Sequence, residues 1–225
     1  METVADVVAR MVEIEGSLPA RDGVARFNDL YLAVTREVEE NLVGEAFEDQ
    51  RFLTRLDVVF AELYFAAVEA AGSGGSVPHA WAPLFEARAR PKIAPVQFAL
   101  AGMNAHINYD LSLALVATCR ELDLDLDTGT PHHRDYLRVN RILERVEGVV
   151  KVRLNQGLVG VADEALGRVD DVVAVWSVAR ARDAAWTQAQ TLRTLERLPA
   201  LKGDYLVTLG HIVGFAGRGL LIPTL

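Results

Sequence analysis

The chain has one cysteine in 225 residues, Cys119, which excludes an intrachain disulfide and any multi-cysteine metal centre. Its apolar neighbours mark it as a buried packing residue. Only Arg120 stands near enough in sequence to lower a thiol pKa, and a reducing compartment fits. Positive charge is also scarce. The 23 Lys and Arg are outnumbered by 31 Asp and Glu, for a net charge of −8, and acidic charge repels phosphate backbones and anionic membranes. Neither nucleic acid nor a membrane is therefore expected as a partner. The basic residues Arg138, Arg141, Arg145, Lys151 and Arg153 alternate with Glu144 and Glu147, the pattern of a solvated helix face.

Long apolar runs are missing as well. The closest, Leu206 to Ile222, is about 17 residues long and holds His211 and Arg218, short of the roughly 20 apolar residues a bilayer requires. It reads as a core helix on which Gly210, Gly214 and Gly217 share one face and let another backbone approach. The opening Met1-Glu-Thr-Val-Ala-Asp6 lacks the basic and apolar segments of a signal peptide, so a cytoplasmic protein is expected. Nucleotide-binding and serine-hydrolase signatures are absent, and Gly214-Phe-Ala-Gly-Arg-Gly219 lacks the spacing and the strand-to-helix setting of a phosphate loop. Metal signatures of the His-Glu-x-x-His or Glu-x-x-His kind are absent too.

What is present is helical periodicity within an ordinary globular composition, 51% hydrophobic and 24% charged. Val4 to Val12 make a short amphipathic helix ending near Gly16 and Pro19. Asp22 caps a second, whose stripe is Phe27, Leu30, Tyr31, Val34 and Val38. Leu53, Leu56, Phe60, Leu63, Tyr64 and Ala67 form the stripe of a third, closed by Gly72-Ser-Gly-Gly-Ser76. A short helix around Trp81 to Ala89 follows Pro78, and a long one runs from Pro95 to about Leu122. The acidic Asp123 to Thr130 segment reads as an irregular loop, since no second strand could pair with it. Its alternate carboxylates resemble a calcium loop, but the required Gly and distal Glu are out of register. Thr130-Pro131 opens a helix interrupted near Gly148, and another is expected from Val169 to Leu195, with Val172, Val175, Trp176, Trp186, Ala189 and Leu192 inward. The expected fold is all-α, one domain over residues 1–225, a bundle of about seven to nine helices.

Chemistry concentrates in the long helix. Asn104, His106, Asn108 and Asp110 lie in an otherwise apolar run, and a buried polar group left without a partner costs about 1–3 kcal/mol, so these residues demand a network or a site. His106 and Asp110, four apart, share one helix face, which suits a carboxylate orienting a general base, half of a divalent-metal site, or a structural tie. Asn104 and Asn108 point about 200° away. Asn28, Tyr31, Asp57 and Glu62 sit on other apolar helices from which they can meet that face. For Asp57 an ion pair with Arg51 or Arg55 is the structural alternative. His132 and His133, after Pro131, read as exposed residues at a helix start, with Asp135 complementing the positive helix end.

The segments Arg26 to Tyr31, Arg55 to Phe65, Gln97 to Leu111 and Asp135 to Asn140 resemble a family of actinobacterial proteins classed as a domain of unknown function. The resemblance spans most of residues 8 to 195, with Asn28, Tyr31, Asp57, Asn104, His106, Asn108 and Asp110 as its motif residues. It implies a bacterial cytosolic origin and a single helical domain, and it carries no activity. From the residues themselves, the first expectation is an enzyme without a cofactor acting on a small, largely apolar molecule. In it His106 is acid or base, Asp110 orients it, and Asn28, Tyr31 and Asp57 bind polar substrate atoms, with Asn104 and Asn108 as further binding candidates. The alternatives are a non-catalytic binding or interaction module built on a buried polar network, and a metalloprotein using His106 and Asp110 with Asp57 or Glu62. Self-association into a homo-oligomer stays open.

Overall fold

The computed structural model describes residues 1–42, 46–156 and 177–223, with side chains left out of account at 41–42 and 144–156. Helices begin where the chain supplies a partner for their first N–H groups. Thr3 and Asp6 form a reciprocal cap at the start of α1 (Val4–Ser17). The Asp22 carboxylate accepts from Val24 N at 2.8 Å at the start of α2 (Gly23–Leu42). Asp49 caps α3 (Gln50–Gly72), accepting from Phe52 N. Proline opens or nearly opens α4 (Ala82–Ala87) and α5 (Pro95–Ala105). After α5 come one π-helical turn (His106–Asp110) and α6 (Leu111–Glu121), the three forming one unbroken rod. The rest is α7 (Pro131–Gln156), α8 (Val178–Thr194) and α9 (Pro199–Leu220). No strand occurs among the described residues, and the fold is an all-α bundle.

Every residue of α5 from Val96 to Ala105 is buried, as expected of a rod that is apolar all round. Side chains pack around it in two clusters. One gathers Met11, Phe27, Tyr64, Trp81 and Leu84 around α5. The other gathers Phe52, Leu115, Tyr136 and Trp186 around α6. The π-helical turn lies where the first gives way to the second.

Three expectations are corrected. Gly148 does not interrupt α7, which runs unbroken from Pro131 to Gln156. The next helix does not run in from Val169: Ser177 has extended backbone and its hydroxyl accepts from Arg180 N, so α8 starts at Val178. Val172, Val175 and Trp176 lie outside the described residues. The C-terminal helix is a core element on one face only: Leu209, Gly210, Val213, Gly214 and Gly217 are buried, while Leu201, Val207 and Ile212 are exposed and Phe215 is 79% exposed. Its inward face combines three glycines with Leu209 and Val213. A Cβ on Gly214 would meet the His79 carbonyl oxygen at 2.4 Å, so glycine is what lets α9 dock there. Among the described residues no helix is long and apolar enough to cross a membrane.

α2 and α5 approach as closely at Gly102, where a Cβ would lie 2.3 Å from the Phe27 ring. Gly102→Ala must displace that fully buried ring, and we expect it to lower unfolding stability by about 1–3 kcal/mol in chemical denaturation. Gly16→Ala is the control. It meets nothing within 4 Å and should be neutral or gain about 0.5 kcal/mol, from the lower backbone entropy of the unfolded chain.

Candidate active site

The π-helical turn carries both candidate groups. The Leu111 N–H donates to the His106 carbonyl, five residues back instead of four, so one extra residue is accommodated and the side chains are re-aimed. His106 and Asp110 are both 2% exposed, and His106 Nδ1 lies 3.0 Å from Asp110 Oδ2. The Trp81 indole N–H donates to the same oxygen at 2.9 Å. Burial pushes the Asp110 pKa up, and the His106 and Trp81 donors oppose that shift. Burial also lowers the His106 pKa, against the pull of Asp110. The resulting state is a neutral imidazole. Two donors converging on one oxygen favour an ionised Asp110, which can only accept, so His106 carries its proton on Nδ1 and presents a bare lone pair at Nε2.

Among the described residues that lone pair has no partner. The ring is held on all sides by aromatic groups. Phe60 stacks flat on it at 3.6 Å and 5°, and Tyr31 meets it edge-on at 4.7 Å. Phe27 and Trp81 stand 5.8 and 5.9 Å away. The Tyr31 hydroxyl is also buried without a partner, as is Asp57 Oδ2. Asp57 lies one turn before Phe60 on α3, and its charge helps hold the Tyr31 phenol neutral, after the larger effect of burial. Burial, reinforced by Glu39 and opposed by Arg182, raises the Asp57 pKa to about 6.

Five buried side-chain atoms lack a partner among the described residues, and three of them are Tyr31 OH, Asp57 Oδ2 and His106 Nε2. They come from α2, α3 and the π-helical turn. Because each is unsatisfied, the Tyr31 hydroxyl and the imidazole lone pair do not bond to each other. A guest hydroxyl placed between them could accept from the first and donate to the second.

The other sequence candidates have different placements. Asn28 is saturated and structural: its Nδ2 donates to the Met11 carbonyl at 3.0 Å, and its Oδ1 accepts from Tyr64 OH at 3.2 Å. Asn108 Nδ2 donates to Asn104 Oδ1, and Asn104 Nδ2 donates to the Val213 carbonyl of α9. Those two residues therefore face α9, away from His106. Glu62 pairs with the N-terminal ammonium group at 3.2 Å. Asp57 pairs with neither expected arginine within its helix, and Arg55 reaches Glu121 instead. His132 is buried rather than exposed, bonded to the Asp125 carbonyl. Asp135 accepts from the Glu48 and Asp49 N–H groups, holding the entry to α3, and pairs with Arg138 one turn on in its own helix. Among the described residues no group of three or more His, Cys, Asp or Glu stands close enough to hold a metal ion. Sequence reasoning missed Trp81 and Phe60 as parts of the site, and missed the π-helical turn. Trp81 is separated from Asp110 by 29 positions, and nothing local signals that pairing.

The chain matches a family of unknown function, DUF5995, over residues 4–223, and it belongs to that family. No curated protein and no solved structure matches it.

The unpaired Asp57 carboxylate has a measurable consequence. Its pKa of about 6 in the fold exceeds the unfolded value of 3.8, so the native state binds more protons between those limits. Stability from this group is full below pH 3.8 and is lost as pH rises through 6. Its ionisation then costs on the order of 3 kcal/mol. We expect Asp57→Asn to be more stable than the native protein by about 1–3 kcal/mol at pH 7–8, the difference vanishing toward pH 4. His106, with a lowered pKa, contributes stability that is lost as pH falls below about 6.5. That loss is common to both proteins and cancels. Guanidinium denaturation at a series of pH values reads the difference.

Proposed function

We propose that this protein is a cofactor-independent enzyme acting on a small, largely apolar organic molecule by acid–base chemistry at His106. The observation that carries the reading is the unpartnered Nε2 of an imidazole whose Nδ1 is held by Asp110. A base needs its lone pair free, its tautomer fixed and the imidazolium stabilised once formed, and Asp110 serves the last two needs. Nε2 takes a proton from a substrate hydroxyl or from water. The resulting imidazolium, facing Asp110, then returns that proton to the leaving group or product. Tyr31 OH and Asp57 bind the polar atoms of the substrate, and the aromatic rings around His106 receive its apolar body. Hydrolytic, lyase and cyclising reactions all fit this set of groups. The single cysteine fits a reducing, cytoplasmic setting and the acidic net charge disfavours a nucleic-acid partner.

One observation favours a second reading. His106 is only 2% exposed, an enclosure that also suits a module that holds a ligand without converting it. A metal reading has less behind it, because Nδ1 is committed to Asp110 and no third ligand stands with the pair among the described residues.

Turnover of small esters, lactones and β-hydroxy carbonyl compounds by the purified protein tests the proposal. The native protein should convert one of these classes. His106→Gln should lower kcat about 100- to 10,000-fold while circular dichroism and the melting transition show a folded protein. The native pH–rate profile should have an acid limb with its midpoint below about 6.5, because the base is the neutral imidazole and its pKa is lowered. A His106→Gln rate within a few-fold of native would overturn the reading. Binding without conversion would put the ligand-holding module in its place.

A further inference from the structure

Among the described residues nine large hydrophobic side chains stand exposed, and six of them fall in the last stretch of chain: Leu198, Leu201, Val207, Ile212, Phe215 and Ile222, each more than half exposed. On α9 they are ordered. At about 100° per residue, Leu201, Thr208, Ile212, Phe215 and Gly219 lie in an arc of about 60°, turned away from the buried Leu209, Val213 and Gly217. No charged residue lies in that arc.

Charge is confined to the edge of this stripe, and it is placed symmetrically. Asp204 and Arg218 stand seven residues before and seven after His211, on the same edge, and both are exposed. Arg218 touches Glu86 at 3.2 Å, but its side chain is 55% exposed, so the guanidinium keeps donors facing water. The six apolar side chains offer on the order of 500 Å² per copy, at the upper end of what a monomer shows. Buried against an identical face they remove on the order of 1,000 Å² in all, the size at which a specific interface becomes stable.

We propose that this face is covered by a second copy of the chain, with the α9 helices of the two copies packed antiparallel about a two-fold axis close to His211. That arrangement brings Asp204 of each copy to Arg218 of the other, twice by symmetry, and sets Phe215 of each beside Val207 and Thr208 of the other. A parallel pairing would oppose Asp204 to Asp204 and Arg218 to Arg218. A lipid surface fits less well. Helices that lie on membranes carry Lys and Arg along their polar face, whereas α9 has one of each beside Asp204 and the chain carries a net charge of −8. The face shares no residue with the His106 site, so its fate is independent of the proposed function.

Sedimentation equilibrium of the full chain tests the proposal. The native protein should show twice the chain mass of 24.6 kDa. Ile212→Glu and Phe215→Glu should each raise the dimer dissociation constant about 30-fold or more, with circular dichroism and melting unchanged because both side chains are exposed. Asp204→Arg and Arg218→Asp should each weaken the dimer, and the double variant, which restores opposite charges across the axis, should recover it. A native protein that stays monomeric, or a dimer that persists in a folded Phe215→Glu protein, would overturn the proposal. A double variant no tighter than the single ones would overturn the antiparallel pairing. Co-sedimentation of a monomeric native protein with phosphatidylglycerol vesicles would put a lipid surface in place of the second copy.

Discussion

The structure depends on one buried carboxylate. Asp110 receives the imidazole of its own turn and the Trp81 indole, and those two donors allow an ionisable group to sit at the junction of the two apolar clusters. Ionised and alone there, Asp110 would cost more than a small domain can spare, since net stabilities are about 5–15 kcal/mol. With both donors it becomes a fixed point that sets the rotamer of Trp81, the tautomer of His106 and the orientation of the π-helical turn. The extra residue of that turn then acquires a reason. A regular α-helix across 106–110 would aim the imidazole differently, and the flat stack on Phe60 and the edge contact with Tyr31 both depend on where the ring points.

Much of this was legible along the chain, and the illegible parts have physical causes. Helix periodicity, caps and prolines located α1 to α6 and the start of α7, because those signals act over fewer than five residues. Burial of His106 and Asp110 followed from their apolar neighbours, and the opposite aim of Asn104 and Asn108 followed from helix geometry alone. The π-helical turn was not legible: the signal for inserting one residue lies in tertiary contacts to Phe60 and Trp81 rather than in local propensity. The glycine approach of the C-terminal helix was legible, but its exposed outer face was not, because its composition is apolar whether it is covered or not. Only the coordinates show Phe215 facing outward while Gly210, Gly214 and Gly217 face in. His132 was misread because a histidine after a helix-opening proline is usually solvated, whereas here the loop folds back and offers it the Asp125 carbonyl.

Stability and the candidate chemistry pull against each other at Asp57. A half-buried carboxylate with one enclosed, unpartnered oxygen, whose pKa is raised by burial and by Glu39, weakens the fold at neutral pH. An asparagine would be easier to accommodate. Such a residue is retained at a cost where its polarity is used, and strain of this kind collects at binding and catalytic sites more than in ordinary cores.

The strongest argument that these groups form a site comes from comparing the two sides of one turn. On the α9 side Asn108 donates to Asn104 and Asn104 to the Val213 carbonyl, and neither residue is left with a buried unpartnered side-chain atom. On the other side, within the same few residues, Nε2 is left bare, and so are the phenol and carboxylate that approach it from α2 and α3. Of the five buried unpartnered atoms among the described residues, three converge here and the other two, Thr118 Oγ1 and Gln188 Oε1, lie elsewhere. A fold that saturates one face and leaves three complementary groups open on the other has the asymmetry of a binding site, because a purely structural network would be selected to close on itself.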